Sequence, residues 1–173
     1  MAKEDRFAVI RYLVEKLKDV GKTRIQKIVY FLQYVFRVPL DYVYTMHYYG
    51  PYSEELNDDL IDMKLHEYIA ITPDPTGYGY HITLGGEVIA SMENTIKDYE
   101  RELENCLQKF GQLEPQKLEL LGTLHFVENV ALTSSKEKTK DQIIEMAQIL
   151  KPVFTRPYIE ESYEELKNIV EAH

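Results

Sequence analysis

Apolar residues open the chain at helical spacing. Phe7, Ile10, Val14 and Leu17 stand three, four and three residues apart, which predicts an amphipathic helix over 5–19. Val20-Gly21 then offers a glycine stop. A second helix is predicted over 22–37, with Ile25, Ile28, Val29, Leu32 and Phe36 inward and Pro39 ending it. Next the period falls to two. Tyr42, Tyr44, Met46 and Tyr48 alternate with Asp41, Val43, Thr45 and His47, predicting a strand over 42–48. Gly50-Pro51 reads as the turn that follows it. Ser53 is placed to cap a helix over 53–66, whose Leu56, Leu60 and Met63 point one way. Residues 68–72 and 80–84, around the Pro/Gly-rich loop 73–79, predict a hairpin.

The second half is helical in pattern. Thr83 is a candidate cap for a long helix over about 86–110. There Ile89, Met92, Ile96, Tyr99, Leu103, Cys106 and Phe110 alternate spacings of three and four, a heptad stripe. This stripe can pair with a second copy of the chain, or pack inside the monomer on the helices of 115–132 and 135–150. Leu118, Leu120, Leu121, Leu124, Val127 and Val130 make the 115–132 helix apolar enough to be largely buried. Ser134 with Glu137 suggests a capping box for a helix running to Leu150, and Pro157 suits the first turn of a last helix, 157–171. The expected fold is mostly α with a small antiparallel sheet (α+β). A winged-helix-like module spans 1–111, and a helical extension packs on the long helix over 112–173, the two forming one compact unit. The strand between the second and third helices departs from a winged helix.

Charge narrows the functional classes. The 173 residues carry 20 Lys and Arg against 29 Asp and Glu, a formal net charge of −9. This argues against a large nucleic-acid surface. The third helix shows Glu54, Glu55, Asp58, Asp59 and Asp62 on its open side; with Glu67 these make six acids against Lys64, net −5 over 53–67. The wing loop holds Asp74 and no Lys or Arg. Only the second helix is locally basic, through Lys22, Arg24, Lys27 and Arg37. Lys22, Arg24 and Lys27 are therefore the candidate phosphate contacts of an alternative reading, a winged-helix DNA-binding regulator. One cysteine, Cys106, excludes an intrachain disulfide, and no apolar run reaches membrane-spanning length. A cytoplasmic protein without a membrane partner is expected.

No enzyme signature emerges. His47 and His81 could face each other across adjacent strands as a weak metal pair, and Glu55, Asp59 and Asp62 share a helix face, but ordinary strand histidines and a solvated acidic face account for both. Cys106 lies on the apolar stripe and reads as core. No metal or cofactor is expected. Fourteen tyrosines and no tryptophan instead favour surfaces that are half apolar and half wet. Tyr48, Tyr49 and Tyr52 read either as partner anchors or as half-buried residues that hold the turn.

Two short patterns carry a family resemblance. Thr23-x-Ile25-Gln26-Lys27-x-x-Tyr30-x-x-Gln33, followed by Tyr48-Tyr49-Gly50-Pro51-Tyr52-Ser53-x-x-Leu56, resembles the Panacea (SocA-like) antitoxin domain over residues 6–68. The resemblance implies a protein that works by binding other proteins, neutralising a toxin or handing it to a protease. The hairpin and the helices beyond residue 84 lie outside it. The expected function is a non-enzymatic protein-interaction module, antitoxin-like or adaptor-like. Its expected docking face is Tyr49, Pro51, Tyr52, Glu55, Asp58, Asp59 and Asp62, with Gly50 and Ser53 setting the geometry. A homodimer through the 86–110 helix stays open as a second assembly.

Overall fold

In the computed structural model, which describes residues 1–130 and 138–173, the chain forms seven α-helices, a π-helical turn and two small antiparallel sheets among the described residues. The first helix, α1 (Lys3–Leu17), buries Phe7, Ile10 and Val14, as its spacing requires. It ends at Lys18, whose φ is 65° and whose N–H donates to the Val14 carbonyl. Gly21 is thus not its stop. Val20 and Gly21 form a short strand, β1, paired with Ile82 and His81. The hairpin predicted over 68–84 falls where the pattern placed it, as β4 (Ile69–Pro73) and β5 (Tyr80–Leu84), and the sheet order is β1-β5-β4.

Helix α2 (Lys22–Tyr34) is the centre of the molecule. Gln26, Lys27, Ile28, Val29, Tyr30, Phe31 and Leu32 are consecutive and all buried. Its middle therefore has no solvent face, and only its two ends reach solvent, with Thr23 exposed and Lys22, Arg24, Gln33 and Tyr34 half-buried, so its basic residues do not form one open side. It stops three residues before the predicted 37, and Arg37 adopts a left-handed φ of 63°.

The strand of 42–48 is shorter than its alternation predicts. Only Thr45–His47 (β2) is strand, and its partner is β3, Gly50–Tyr52. The turn is therefore Tyr48-Tyr49, while Gly50 and Pro51 lie in β3, opposite His47 and Met46. Proline has no N–H to lend a ladder, and on this two-stranded edge none is needed from it. Gly50 has a φ of 86°, and a Cβ there would lie 3.3 Å from the Glu119 carbonyl oxygen.

Ser53 caps α3 (Glu54–Leu65) as expected, its Oγ accepting from the Leu56 N–H at 3.2 Å. Thr83 is a strand residue rather than a cap. Helix α4 begins at Met92, not near 86, and runs to Phe110. The intervening segment is tied to the end of α3: Gly85 N–H donates to the Tyr68 carbonyl and Glu87 N–H to the Glu67 carbonyl. The heptad stripe faces the interior, but its partners are α1 and α2 rather than the C-terminal helices. Phe110 stacks on Phe31 with centroids 3.9 Å apart, and Leu103 and Cys106 are fully buried. Ile89 is buried as well, while Met92, Ile96 and Tyr99 of the stripe are half-buried.

Helix α5 (Pro115–His125) runs into the π-helical turn Phe126–Val130 and lies on α2 and β3, not on α4. The predicted Ser134–Glu137 cap lies outside the described residues. Helix α6 (Lys140–Leu150) carries a capping box made by Thr139 and Gln142. Helix α7 (Arg156–Glu171) starts at the predicted proline and packs on α5 and α6. One continuous apolar core joins both halves of the chain. No helix among the described residues is long and apolar enough to cross a membrane.

Candidate functional site

Side chains of α2 hold the segment 42–53 at both ends, at Tyr42 and at Pro51 and Ser53. Gln26 Nε2 donates to the Ser53 carbonyl and Gln26 Oε1 accepts from the Ser53 N–H, both at 2.9 Å. Seven residues on, Gln33 repeats the pair with the Tyr42 carbonyl and N–H, both at 2.8 Å. Each glutamine amide thus completes a ladder that no neighbouring strand supplies. Spacing of seven keeps both on one helix face. Between them Lys27, only 2% exposed, donates to the Pro51 carbonyl at 2.7 Å. Burial lowers its amine to a pKa of about 8, Glu119 opposing the shift. The Tyr44 hydroxyl reaches the Gln26 carbonyl at 3.4 Å. The two sequence patterns that carry the family resemblance are the two halves of this clamp.

The far side of the hairpin is held by Lys151, which donates to the Tyr48 carbonyl and pairs with Glu119 at 2.5 Å. Nothing in the local sequence at Lys151 signals this role, since its partner lies 103 residues away. The backbone of the hairpin tip is thereby pinned, while its two tyrosine rings stay open to solvent. Tyr48 is 82% exposed and Tyr49 58%, and their rings meet edge to face at 4.9 Å. Tyr52 is half-buried against His47, with ring centroids 4.8 Å apart.

The predicted docking residues divide on this frame. Tyr49, Glu55 and Asp58 are exposed and Tyr52 is half-buried, but Gly50, Pro51 and Ser53 are buried. Asp59 corrects the expectation of an open acidic face most sharply. It is 4% exposed, its Oδ2 accepting from Arg6 Nε at 2.9 Å and from the Tyr42 hydroxyl at 2.7 Å. Asp62 is paired with Lys3 at 2.5 Å, which lowers its pKa. Glu55 accepts from the Val43 N–H at 3.1 Å. Helix α1 thus covers acids that a helical wheel drawn for α3 alone leaves to solvent.

The basic candidates fare similarly. Lys27 is buried and Arg24 donates to the Gly111 carbonyl, so of the three only Lys22 makes no side-chain hydrogen bond or ion pair among the described residues. The proposed His47–His81 pair does not form, because the two lie in different sheets. His81 sits between Asp19 Oδ1 at 2.6 Å and Asp74 Oδ2 at 2.5 Å, and both acids raise its pKa. Among the described residues no three His, Cys, Asp or Glu converge as metal ligands. Cys106 is fully buried, and burial drives its thiol pKa up, leaving a poor nucleophile.

One buried titratable group couples this region to pH. His125 on α5 is 4% exposed and its Nδ1 lies 2.7 Å from the Tyr30 hydroxyl. Burial lowers its pKa to about 4. An unfolded histidine titrates near 6.5, so between about 4 and 6.5 the unfolded chain binds a proton that the folded chain refuses. Stability is full above that window and falls through it on acidification, by about 3 kcal/mol in all. Thermal melts from pH 7 to pH 4 should show this loss, and His125→Asn should flatten it; an unchanged acid slope in that variant would refute the assignment.

Between the two hairpins and the first turn of α2 lies a cavity of about 270 Å³, lined in part by Lys22, His47, Tyr49, Tyr52 and Tyr80. No family model and no curated protein matches the chain.

Proposed function

We propose that the chain is a non-enzymatic protein-interaction module, antitoxin-like or adaptor-like, that docks a partner protein through the tip of the β2–β3 hairpin. The observation that carries this is two exposed tyrosines on a hairpin held by buried Gln26 and Lys27 along and beyond β3 and by buried Lys151 at the Tyr48 carbonyl. Large aromatic rings on a rigid support bury area at little entropic cost. Glu54, Glu55 and Asp58, exposed at the start of α3, add an acidic flank that speeds encounter with a basic partner. The resemblance to the Panacea domain supports the same reading, with a toxin among the candidate partners.

The test is co-purification of the tagged protein from its own host. A partner captured by the wild type should be lost, by tenfold or more, with Tyr48→Ser/Tyr49→Ser. Equal capture by that variant overturns the docking face.

The order α1, β1, α2, α3, β4–β5 hairpin, interrupted by the β2–β3 hairpin between α2 and α3, supports a winged-helix reading as a second proposal, with α3 in the recognition position. Its electrostatics oppose duplex DNA, since α3 exposes Glu54, Glu55 and Asp58 while Lys27 is buried. Titration of a labelled duplex at low salt should therefore give no anisotropy change; tight, salt-sensitive binding would reverse the ranking.

A further inference from the structure

We infer that the cavity between the two hairpins is a receptor for the free C-terminal carboxylate of the partner chain, with an aromatic last residue. This deepens the docking proposal and rests on it. The walls are of two kinds. Tyr49, Tyr52, Tyr80 and His47 supply ring surface, and Lys22 and Lys27 supply positive charge. No carboxylate lines the cavity, although the chain as a whole carries a net −9. Of the acids on adjoining segments, Asp19 and Asp74 pair with His81 and Glu119 with Lys151, while Glu54 and Asp58 stand exposed beyond Tyr52, outside the lining. Lys22 is half-buried, with its ammonium 5.8 Å from the Tyr80 ring centroid and no acidic partner among the described residues. Lys27 is committed to the Pro51 carbonyl and feels the charge of Glu119, so Lys22 is the cation left to a ligand. A cation without a carboxylate partner beside an aromatic hollow fits a ligand that is both planar and anionic.

Size selects among such ligands. Pockets for drug-sized molecules run from about 300 to 1,000 Å³. At about 270 Å³ this one holds roughly one residue. The exposed Tyr48 at its rim offers ring surface to the residues preceding that one. A chain terminus presents one ring, one carboxylate and a backbone leading out, which is a known mode of peptide capture.

Three probes test this: the acetylated tetrapeptide Ala-Ala-Ala-Phe with a free carboxylate, the same peptide as its C-terminal amide, and N-acetylphenylalanine. Binding is followed by two-dimensional amide NMR, reading Lys22 and Tyr80. The free acid should bind at least tenfold more tightly than the amide, and more tightly than N-acetylphenylalanine. Lys22→Met should weaken the acid to the level of the amide while leaving the amide unchanged, a pattern that loss of folding cannot produce. Lys27 is left intact, because it supports the hairpin. Equal binding of acid and amide overturns carboxylate recognition. Equal binding of N-acetylphenylalanine and the tetrapeptide overturns the peptide in favour of a small aromatic acid. Absence of saturable binding by any probe up to about 10 mM overturns the site. If Tyr48→Ser/Tyr49→Ser abolishes partner capture while Lys22→Met does not, the docking surface stands and the carboxylate site falls.

Discussion

Asp59→Lys should unfold the protein or leave it barely folded, whereas Asp58→Lys, one residue earlier, should be close to neutral. Asp59 is the shared acceptor of Arg6 and of the Tyr42 hydroxyl, and it is 4% exposed. Removing it leaves a partly buried guanidinium and a buried hydroxyl without their acceptor. Replacing it with a lysine adds a second cation beside the first. Breaking a buried pair from one side costs about 3–5 kcal/mol, and a typical domain holds only about 5–15. Asp58 is exposed and takes part in no ion pair among the described residues. Chemical denaturation of the two variants should separate them by several kcal/mol; similar midpoints would show that the Arg6–Asp59–Tyr42 contact does not hold α1 to α3. The consequence for function is practical. A charge-reversal variant meant to probe partner binding has to spare Asp59, because loss of binding by an unfolded chain says nothing about a docking face. Glu54 and Asp58 are the residues that report on it cleanly.

Gln26→Leu should be the second severe change, and harsher than Gln33→Leu. Gln26 is fully buried and satisfies both the N–H and the carbonyl of Ser53, itself buried at the head of α3. A leucine fills similar space but leaves two buried backbone groups without partners, at about 1–3 kcal/mol each. Gln33 makes the same pair with Tyr42 from a half-buried position, where water can take over part of the bonding. The expected order in denaturation midpoint is wild type, Gln33→Leu, then Gln26→Leu. Hydrogen exchange should show the Ser53 amide losing protection in Gln26→Leu. Retained protection there would mean that the hairpin is held by Lys27 and Lys151 without the glutamine.

How legible this protein is depends on the range of the interaction. The faces of α1 and α7, the Ser53 cap and the β4–β5 hairpin follow from spacing and capping chemistry within a dozen residues, and each appears near its predicted place. The polar pattern of α2 misleads for a definite reason. Gln26 and Lys27 read as solvent-facing when a helix is weighed alone, yet they are buried because the backbone of 51–53 offers them partners. A hydrophobicity pattern registers the residue type and not the acceptor brought to it from 24 to 27 positions away. The same holds for Asp59, whose Arg6 lies 53 residues back, and for Lys151, whose hairpin lies 103 residues back.

From the sequence alone come the mostly helical class with a small antiparallel sheet, the acidic balance, and the Gln-Lys and Tyr-Gly-Pro patterns as candidate sites. Tertiary structure decides what those patterns do. It places Gly50 and Pro51 in a strand and Tyr48-Tyr49 at the tip, pairs Asp59 and Asp62 of the acidic helix with α1, and turns the heptad stripe toward α1 and α2. The physical reason is common to all three. Local propensity sets which backbone conformations are cheap, but whether a polar side chain ends in water or in a bond depends on which distant segment arrives opposite it.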